Sequence, residues 1–294
     1  MLEARPSHRL QALAARGLLA LFAALPREHA STLGAAFGRL AGWALARRSA
    51  EAAARLRRAL PHVDQPTADR LIGRMWAQLG RVVAELPHLR HLRFVGEPGG
   101  WVELVGREHL EALRDDGLGG LFYTAHLGNW ELGPAVCHAI GLTGHLVYRA
   151  PNNPAIDLLL RAARGDWSLD TVPKGAAGAK RLLRALKAGE HVGLPIDQKM
   201  NDGIAVPFFG RPAMTAPALA QLALKFRLPI VGVRCERLKG ARFRVTAYPP
   251  IWPTASGERA ADIARVMAEV NAMVEDWVRA RPEQWLWLHR RWPD

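Results

Sequence analysis

Three observations predict an α/β fold: a mostly parallel mixed sheet flanked by helices, preceded by a helical region. Alanine, leucine and arginine dominate residues 1–92, where strand formers are few. "GEPGG", Gly96–Gly100, then breaks the chain. Beyond it, short apolar runs alternate with helical stretches, the pattern of a largely parallel sheet covered by helices. The expected organisation is a helical, membrane-associating region over 1–95 and an α/β region over 96–294. No linker or internal repeat separates them, so they are expected to form one continuous unit.

The helical region begins with "GLLALFAAL", Gly17–Leu25, an apolar run preceded by Arg16 and followed by "PREH". A helical bilayer span needs about 20 apolar residues, so this run is short for one. No small-residue cleavage pattern marks it as a signal peptide. Next comes "GRLAGWALARRSAEAAARLRRAL", which mixes Leu, Trp and Ala with seven charges, six of them Arg. A helix lying on an anionic surface reads this way. In "PHVDQPTADRLIGRMWAQLGRVVAEL", Thr67 or Asp69 is the expected cap, and Leu71, Met75 and Leu79 recur at helical spacing.

In the α/β region the expected strands are "GLFYTA", "GHLVYRA", "HVGLPI", "LPIVGVRCE" and "RFRVTAYPP". The prolines of the last suit an antiparallel edge strand. Helices are expected over Trp130–Ile140, Pro154–Ala163, Ala177–Ala188, Ala216–Lys225 and Arg259–Arg279.

Across the 294 residues, 40 Lys and Arg against 27 Asp and Glu give a net charge of +13. Such a chain seeks anionic partners: nucleic acid, acidic proteins or an anionic membrane. Nucleic acid is disfavoured, because the arginines are spread through alanine-rich helices instead of forming a basic stripe with interleaved aromatics. Cys137 and Cys235 lack metal-type spacing and read as reduced core residues. There is no His-Glu-x-x-His element, so no metal site is expected.

"YTAHLGNWEL" carries the chemistry. His126 and Glu131 are five positions apart, about 140° around one helix, so they can face each other only if the chain bends between them. Gly128 relaxes such a bend, and Asn129 is a good N-cap. His126 then falls at the carboxyl end of a strand, where open α/β sheets place ligands. A histidine held by a carboxylate is a general base. No serine or cysteine stands beside the pair, so the nucleophile is expected to be a substrate hydroxyl. An ordinary strand-to-helix turn with a satisfied loop histidine is the competing reading of these two residues.

The surrounding blocks decide between them. "TAHLGNWEL" resembles the first block of the lysophospholipid acyltransferase superfamily, His, four residues, then Asp or Glu. Its "HLGNWE" form resembles the late (lauroyl and myristoyl) acyltransferases of lipid A biosynthesis. "VYRAPNNPAIDLLLRAAR" is similar to the second block, "LPIDQ" to the aspartate block and "VPFFGRPAMTAPALA" to the Phe-Phe-Gly-Thr block. The ending "PEQWLWLHRRW" resembles the family terminus. The resemblance implies a glycerol-3-phosphate acyltransferase-like fold at the cytoplasmic face of the bacterial inner membrane. It also implies transfer of an acyl chain from acyl carrier protein, or acyl-CoA, to a glycolipid hydroxyl, with no other cofactor. Actinobacterial acyltransferases of phosphatidylinositol mannosides share the blocks, and the same His–Glu site acting on water would be a thioesterase, so the acceptor stays open.

On this reading His126 takes the acceptor's proton and Glu131 orients His126. Arg149, or amides near Gly128 and Asn129, would stabilise the oxyanion. Arg149 and Arg164 suit phosphate, and Asp197 would hold an arginine or an acceptor hydroxyl. Asn129 and Thr215 complete the expected substrate contacts, Thr215 doubling as a helix cap. Phe208 and Phe209 are candidates for an apolar acyl channel. "HRRW", His289–Trp292, suits phosphate contact or a solvated tail.

Overall fold

A computed structural model of the chain describes residues 6–148, 150–165, 169–173 and 175–292. Four helices open it: α1 (Pro6–Ala24), α2 (Arg27–Ala44), α3 (Ala46–Ala59) and α4 (Gln65–Glu85). The cap of α4 is Asp64, whose carboxylate accepts from the Thr67 amide at 2.9 Å, with Pro66 in the first turn. The expected caps Thr67 and Asp69 thus lie inside the helix. A proline, which lacks an amide hydrogen, is tolerated only in that first turn, and so fixes the start upstream of them.

Helices α2 and α4 touch backbone to backbone. Gly34, Gly38 and Gly42 repeat every fourth residue on the buried side of α2 and meet Gly80, Trp76 and Ala84 of α4. A Cβ on Gly38 would stand 2.0 Å from the Trp76 carbonyl oxygen, and one on Gly80 2.0 Å from that of Gly34. The opposite side of α2 is exposed and bears Leu40 and Trp43, with Phe37 at its margin. Leu10, Leu13 and Leu21 of α1 are exposed as well. Among the described residues no helix is long and apolar enough to cross a membrane.

Among the described residues nine strands follow: β1 (Val102–Val105), β2 (Leu121–Thr124), β3 (Gly144–Tyr148), β4 (Asp170–Pro173), β5 (His191–Pro195), β6 (Ile204–Phe208), β7 (Arg211–Thr215), β8 (Ile230–Arg237) and β9 (Phe243–Ala247). Seven form one sheet in the order β1-β9-β8-β2-β5-β3-β4. Among the described residues of this sheet, β8 and β9 pair antiparallel and the other neighbours pair parallel. β9 is antiparallel to β8 as expected but is not an edge, because β1 pairs along its far side. Pro249 and Pro250 fall beyond the strand's last residue, Ala247, and leave the ladder intact. β6 and β7 make a separate hairpin.

The helices between the strands are α5 (Arg107–Asp115), α6 (Leu132–Ala139), α7 (Pro154–Arg164), α8 (Ala176–Lys187) and α9 (Ala218–Phe226), and α10 (Arg259–Ala280) follows the last strand. Side chains of β2 alternate between two cores, as the period of a strand requires. Leu121 and Tyr123 join α3, α4, α9 and α10, together with Trp285, Trp287 and Trp292. Phe122 joins α5, α6, β1 and β9. Helices α3 and α4 therefore share a core with the sheet, while Phe22 of α1 and Ala30 of α2 pack with Ala84 in a small separate cluster. Cys137 and Cys235 are free and buried, as expected, and burial pushes both thiols up to about 12.

Candidate active site

β2 and β5 are parallel neighbours in the middle of the sheet, and Thr124 pairs with Pro195. Each chain runs two residues beyond that pair to a polar side chain, His126 on one and Asp197 on the other. Equal offset on parallel strands brings the two together. Asp197 Oδ1 lies 2.8 Å from His126 Nδ1, and Asp197 Oδ2 accepts from the His126 amide at 2.8 Å. The Trp285 indole donates to Oδ2 at 2.8 Å. Burial alone would raise the Asp197 carboxyl. The facing His126 ring and the hydrogen bonds from that residue, with His289 nearby, override burial and hold it well below the usual carboxylate range.

The carboxylate on the His126 ring is thus Asp197, which corrects the expected Glu131. The bend between His126 and Glu131 is real. Gly128 takes φ +59°, and a Cβ there would stand 2.2 Å from the Cys235 carbonyl oxygen. The bend turns Glu131 toward α7, where Arg164 grips its two oxygens at 2.8 and 2.7 Å. Burial opposes the Arg164 charge, but Glu131 more than offsets it and the guanidinium is raised. Both members of this pair line the same cavity as His126. The cavity encloses about 130 Å³ between Thr124, Trp130, Pro134, Leu146, Tyr148 and Gln198, among others. Whole-ligand pockets run to about 300–1,000 Å³, so this space suits a reacting centre with the rest of a larger ligand outside.

Asn129 is not a substrate contact. It is fully buried, its Nδ2 donates to Glu85 Oε2 at 2.8 Å, and its Oδ1 accepts from the Glu131 amide at 3.2 Å. It braces the turn, and α6 starts at Leu132, two residues later than expected. Glu85 is the hub of this brace. Arg237 grips it at 2.5 and 2.7 Å, and Ser31 of α2 donates to it at 2.6 Å. The Gly128 amide, an expected oxyanion donor, is spent on the Gln284 carbonyl at 3.0 Å.

That last contact belongs to the C-terminal segment, which runs along the turn. Leu127 bridges Trp285, and the Leu286 amide donates to the His126 carbonyl at 3.0 Å. His289 presents its ring edge-on to His126, centroids 5.0 Å apart, and Trp130 stands at 5.2 Å. Gln198 Nε2 lies 3.3 Å from His126 Nε2. Arg291 and Trp292 are buried, so this part of "HRRW" is neither a phosphate contact nor a solvated tail. Arg291 donates to the Met214 carbonyl at 2.9 Å and to Thr215 Oγ1 at 2.7 Å.

Two other expectations change. Thr215 ends β7, fully buried, and accepts from Arg291; α9 begins at Ala218 after Pro217, so Thr215 neither caps it nor reaches the cavity. Phe208 and Phe209 are packed against Trp285 and Trp292 inside the core and are not among the residues lining the cavity. Arg149 lies outside the described residues. Residues that sequence reasoning missed are Trp285, Gln198, Glu85 and Arg237. Trp285 sat unremarked inside the family-like terminus. Glu85 had no signal beyond being a carboxylate in an apolar stretch. Among the described residues no group of three or more His, Cys, Asp or Glu side chains is placed to hold a metal ion.

Comparison with known proteins sets this geometry in a family. The model of the bacterial lipid A biosynthesis acyltransferases matches residues 6–294. The lipid A biosynthesis lauroyltransferase of Escherichia coli is 26% identical over 287 residues, 94% of this chain and 89% of that protein. The palmitoleoyltransferase of the same organism is 25% identical, covering 94% of this chain and 88% of that one. The crystal structure of a 1-acyl-sn-glycerophosphate acyltransferase, PlsC, from Thermotoga maritima aligns with 87% of this chain and 99% of its own, at TM-score 0.40 and 15% identity. That likeness is too low to carry any argument. The family match spans every element that builds the His126 cavity, and the chain belongs to the bacterial lipid A biosynthesis acyltransferase family, an O-acyltransferase.

Proposed function

We propose that the protein moves a fatty acyl chain from acyl carrier protein to a hydroxyl of a lipid A precursor, with His126 as general base and Asp197 as its orienting carboxylate. The observation that carries this reading is the buried Asp197 on His126 Nδ1. An ionised carboxylate accepts only, so it keeps the ring proton on Nδ1 and the lone pair on Nε2. The acceptor O–H gives its proton to Nε2 while its oxygen bonds to the thioester carbonyl carbon. Collapse of that adduct breaks the C–S bond, and the departing thiolate takes the proton back from the imidazolium. An ester and a free thiol result, and His126 is neutral again. General-base help of this kind contributes about 10²–10⁴-fold. The Glu131–Arg164 pair forms the polar wall that orients the acceptor.

A net charge of +13 suits both an acidic carrier protein and an anionic membrane. The exposed apolar residues of α1 and α2, with exposed Arg39, Arg47 and Arg48 beside them, support seating on the cytoplasmic leaflet of the inner membrane. Vesicles with anionic phospholipid are expected to co-sediment the protein. Binding should weaken as salt rises and the screening length falls from about 10 Å at 0.1 M to about 3 Å at 1 M. Equal binding to zwitterionic vesicles at all salt concentrations contradicts this seating.

Labelled lauroyl-acyl carrier protein tests the reaction. It is incubated with a lipid A precursor, a phosphatidylinositol mannoside, a lysophospholipid, or no acceptor, and lauroyl-CoA replaces it in a parallel series. Label is expected in the lipid A precursor and to depend on the carrier protein. Label released only as free fatty acid, and equally with every acceptor, identifies a thioesterase instead.

A further inference from the structure

The cavity wall beside His126 contains a hydroxyl that none of the described residues satisfies. Thr124 ends β2 and is buried, 6% exposed. Its carbonyl is used, accepting from the Ile196 amide at 3.1 Å. Its Oγ1, however, has no hydrogen-bond partner among the described residues. A buried hydroxyl without a partner costs free energy that a valine of the same shape avoids. Retention of such a group in a cavity wall calls for a physical reason.

Several other polar side chains around the cavity have partners. His126 faces Asp197 and Gln198, Glu131 and Arg164 face each other, and the Tyr148 hydroxyl donates to Asp157 at 3.3 Å. The chemistry makes one further demand. His126 takes the proton of the acceptor hydroxyl, but the thioester carbonyl oxygen turns negative in the same step and needs a donor. The Gly128 amide is already spent on Gln284.

We propose that Thr124 is a further catalytic residue, whose hydroxyl donates a hydrogen bond to the carbonyl oxygen of the acyl thioester as negative charge develops there. Threonine has a choice of side-chain rotamers. Rotation about χ1 exchanges hydroxyl and methyl, the movement by which the oxygen would reach the cavity that Thr124 lines. A neutral donor fits the place, because it stabilises the oxyanion without attracting the acidic partners of His126 and Arg164. The inference rests on the acyl-transfer reading above.

Thr124→Val, Thr124→Ser, Thr124→Ala and His126→Ala are to be compared with the parent, using lauroyl-acyl carrier protein and a lipid A precursor, each varied in turn. Thr124→Val is expected to melt no lower than the parent. Its kcat should fall about 10²–10³-fold, the range for loss of one oxyanion donor, with both KM values unchanged. Thr124→Ser should keep kcat within a few-fold. If the valine variant does not fold, the serine–alanine pair makes the same comparison with and without the hydroxyl. Unchanged kcat in Thr124→Val alongside an inactive His126→Ala overturns the proposal and leaves the general-base reading standing. A loss confined to the KM of the acceptor overturns it too, since the hydroxyl would then hold the acceptor instead. Full activity in His126→Ala overturns the reading on which the proposal rests.

Discussion

Asp197→Asn is expected to lower turnover by about 10²–10⁴-fold with the fold retained. The asparagine keeps the size and an oxygen for the Trp285 indole and the His126 amide, which now meet Asp197 Oδ2. Its NH₂ group then faces His126 Nδ1, and a donor there forces the ring proton onto Nε2. The base is lost through the wrong tautomer, the mechanism by which the same change disables the Asp of a Ser-His-Asp triad. Glu131→Gln keeps His126 in register and removes only the charge facing Arg164, so its effect should be smaller. Steady-state transfer rates of the two variants decide between the carboxylates. A nearly active Asp197→Asn with a dead Glu131→Gln would return the orienting role to Glu131.

The same aspartate sets an acid limit on stability. Its carboxyl is held below the ordinary value of about 3.9, so the folded state binds this proton less readily than the unfolded chain. Its contribution is fully present above that value and is lost as pH falls toward its lower, folded-state value. In Asp197→Asn that part of the acid decline should be missing.

Glu85→Ala is expected to destabilise the protein by about 3–5 kcal/mol, the range for removing one partner of a buried pair. Both Glu85 and Arg237 are buried, and the loss would leave Arg237 uncompensated beside Gln78 and the Gly240 carbonyl. It would also free Asn129, which braces the turn between His126 and Glu131. Urea unfolding measures the change. A loss below about 1 kcal/mol would mean that water reaches Arg237 and that the junction of α2, α4 and β8 is not closed.

Much of the fold was legible because its signals are local. Strand and helix alternation, the break at Gly96–Gly100 and the bend at Gly128 are written in neighbouring residues. The Gly128 bend held, with the positive φ that glycine allows. The strands β1 and β4 and the β6–β7 hairpin went unread: Glu103 interrupts β1, Asp170 and Pro173 bound β4, and β6 and β7 each contain a proline, which argues against a strand. The position of β9 inside the sheet depends on pairing with β1 at a sequence separation of 141, as Val102 against Phe243. No local pattern carries that.

The site divides along the same line. His126 was legible from its block and from its place at a strand end. Its partner was not, because Glu131 is near in sequence whereas Asp197 is near only through the register of β2 with β5. Once that pairing is known, the equal offset of His126 from Thr124 and of Asp197 from Pro195 gives the contact. Thr215, Phe208 and Phe209 belong to a shared block, and their burial around Arg291 and Trp292 shows a structural use for such residues. Asn129 was read as a cap and a contact, whereas its partner Glu85 lies 44 positions away.

The most direct measurement is transfer of labelled lauroyl from acyl carrier protein to a lipid A precursor by His126→Ala, with thermal unfolding followed on the same sample. The expected result is an unchanged melting transition and a rate lower by about 10²–10⁴-fold, the contribution of a general base. A folded His126→Ala protein that transfers the chain at near the parent rate would contradict the assignment of His126 as the base.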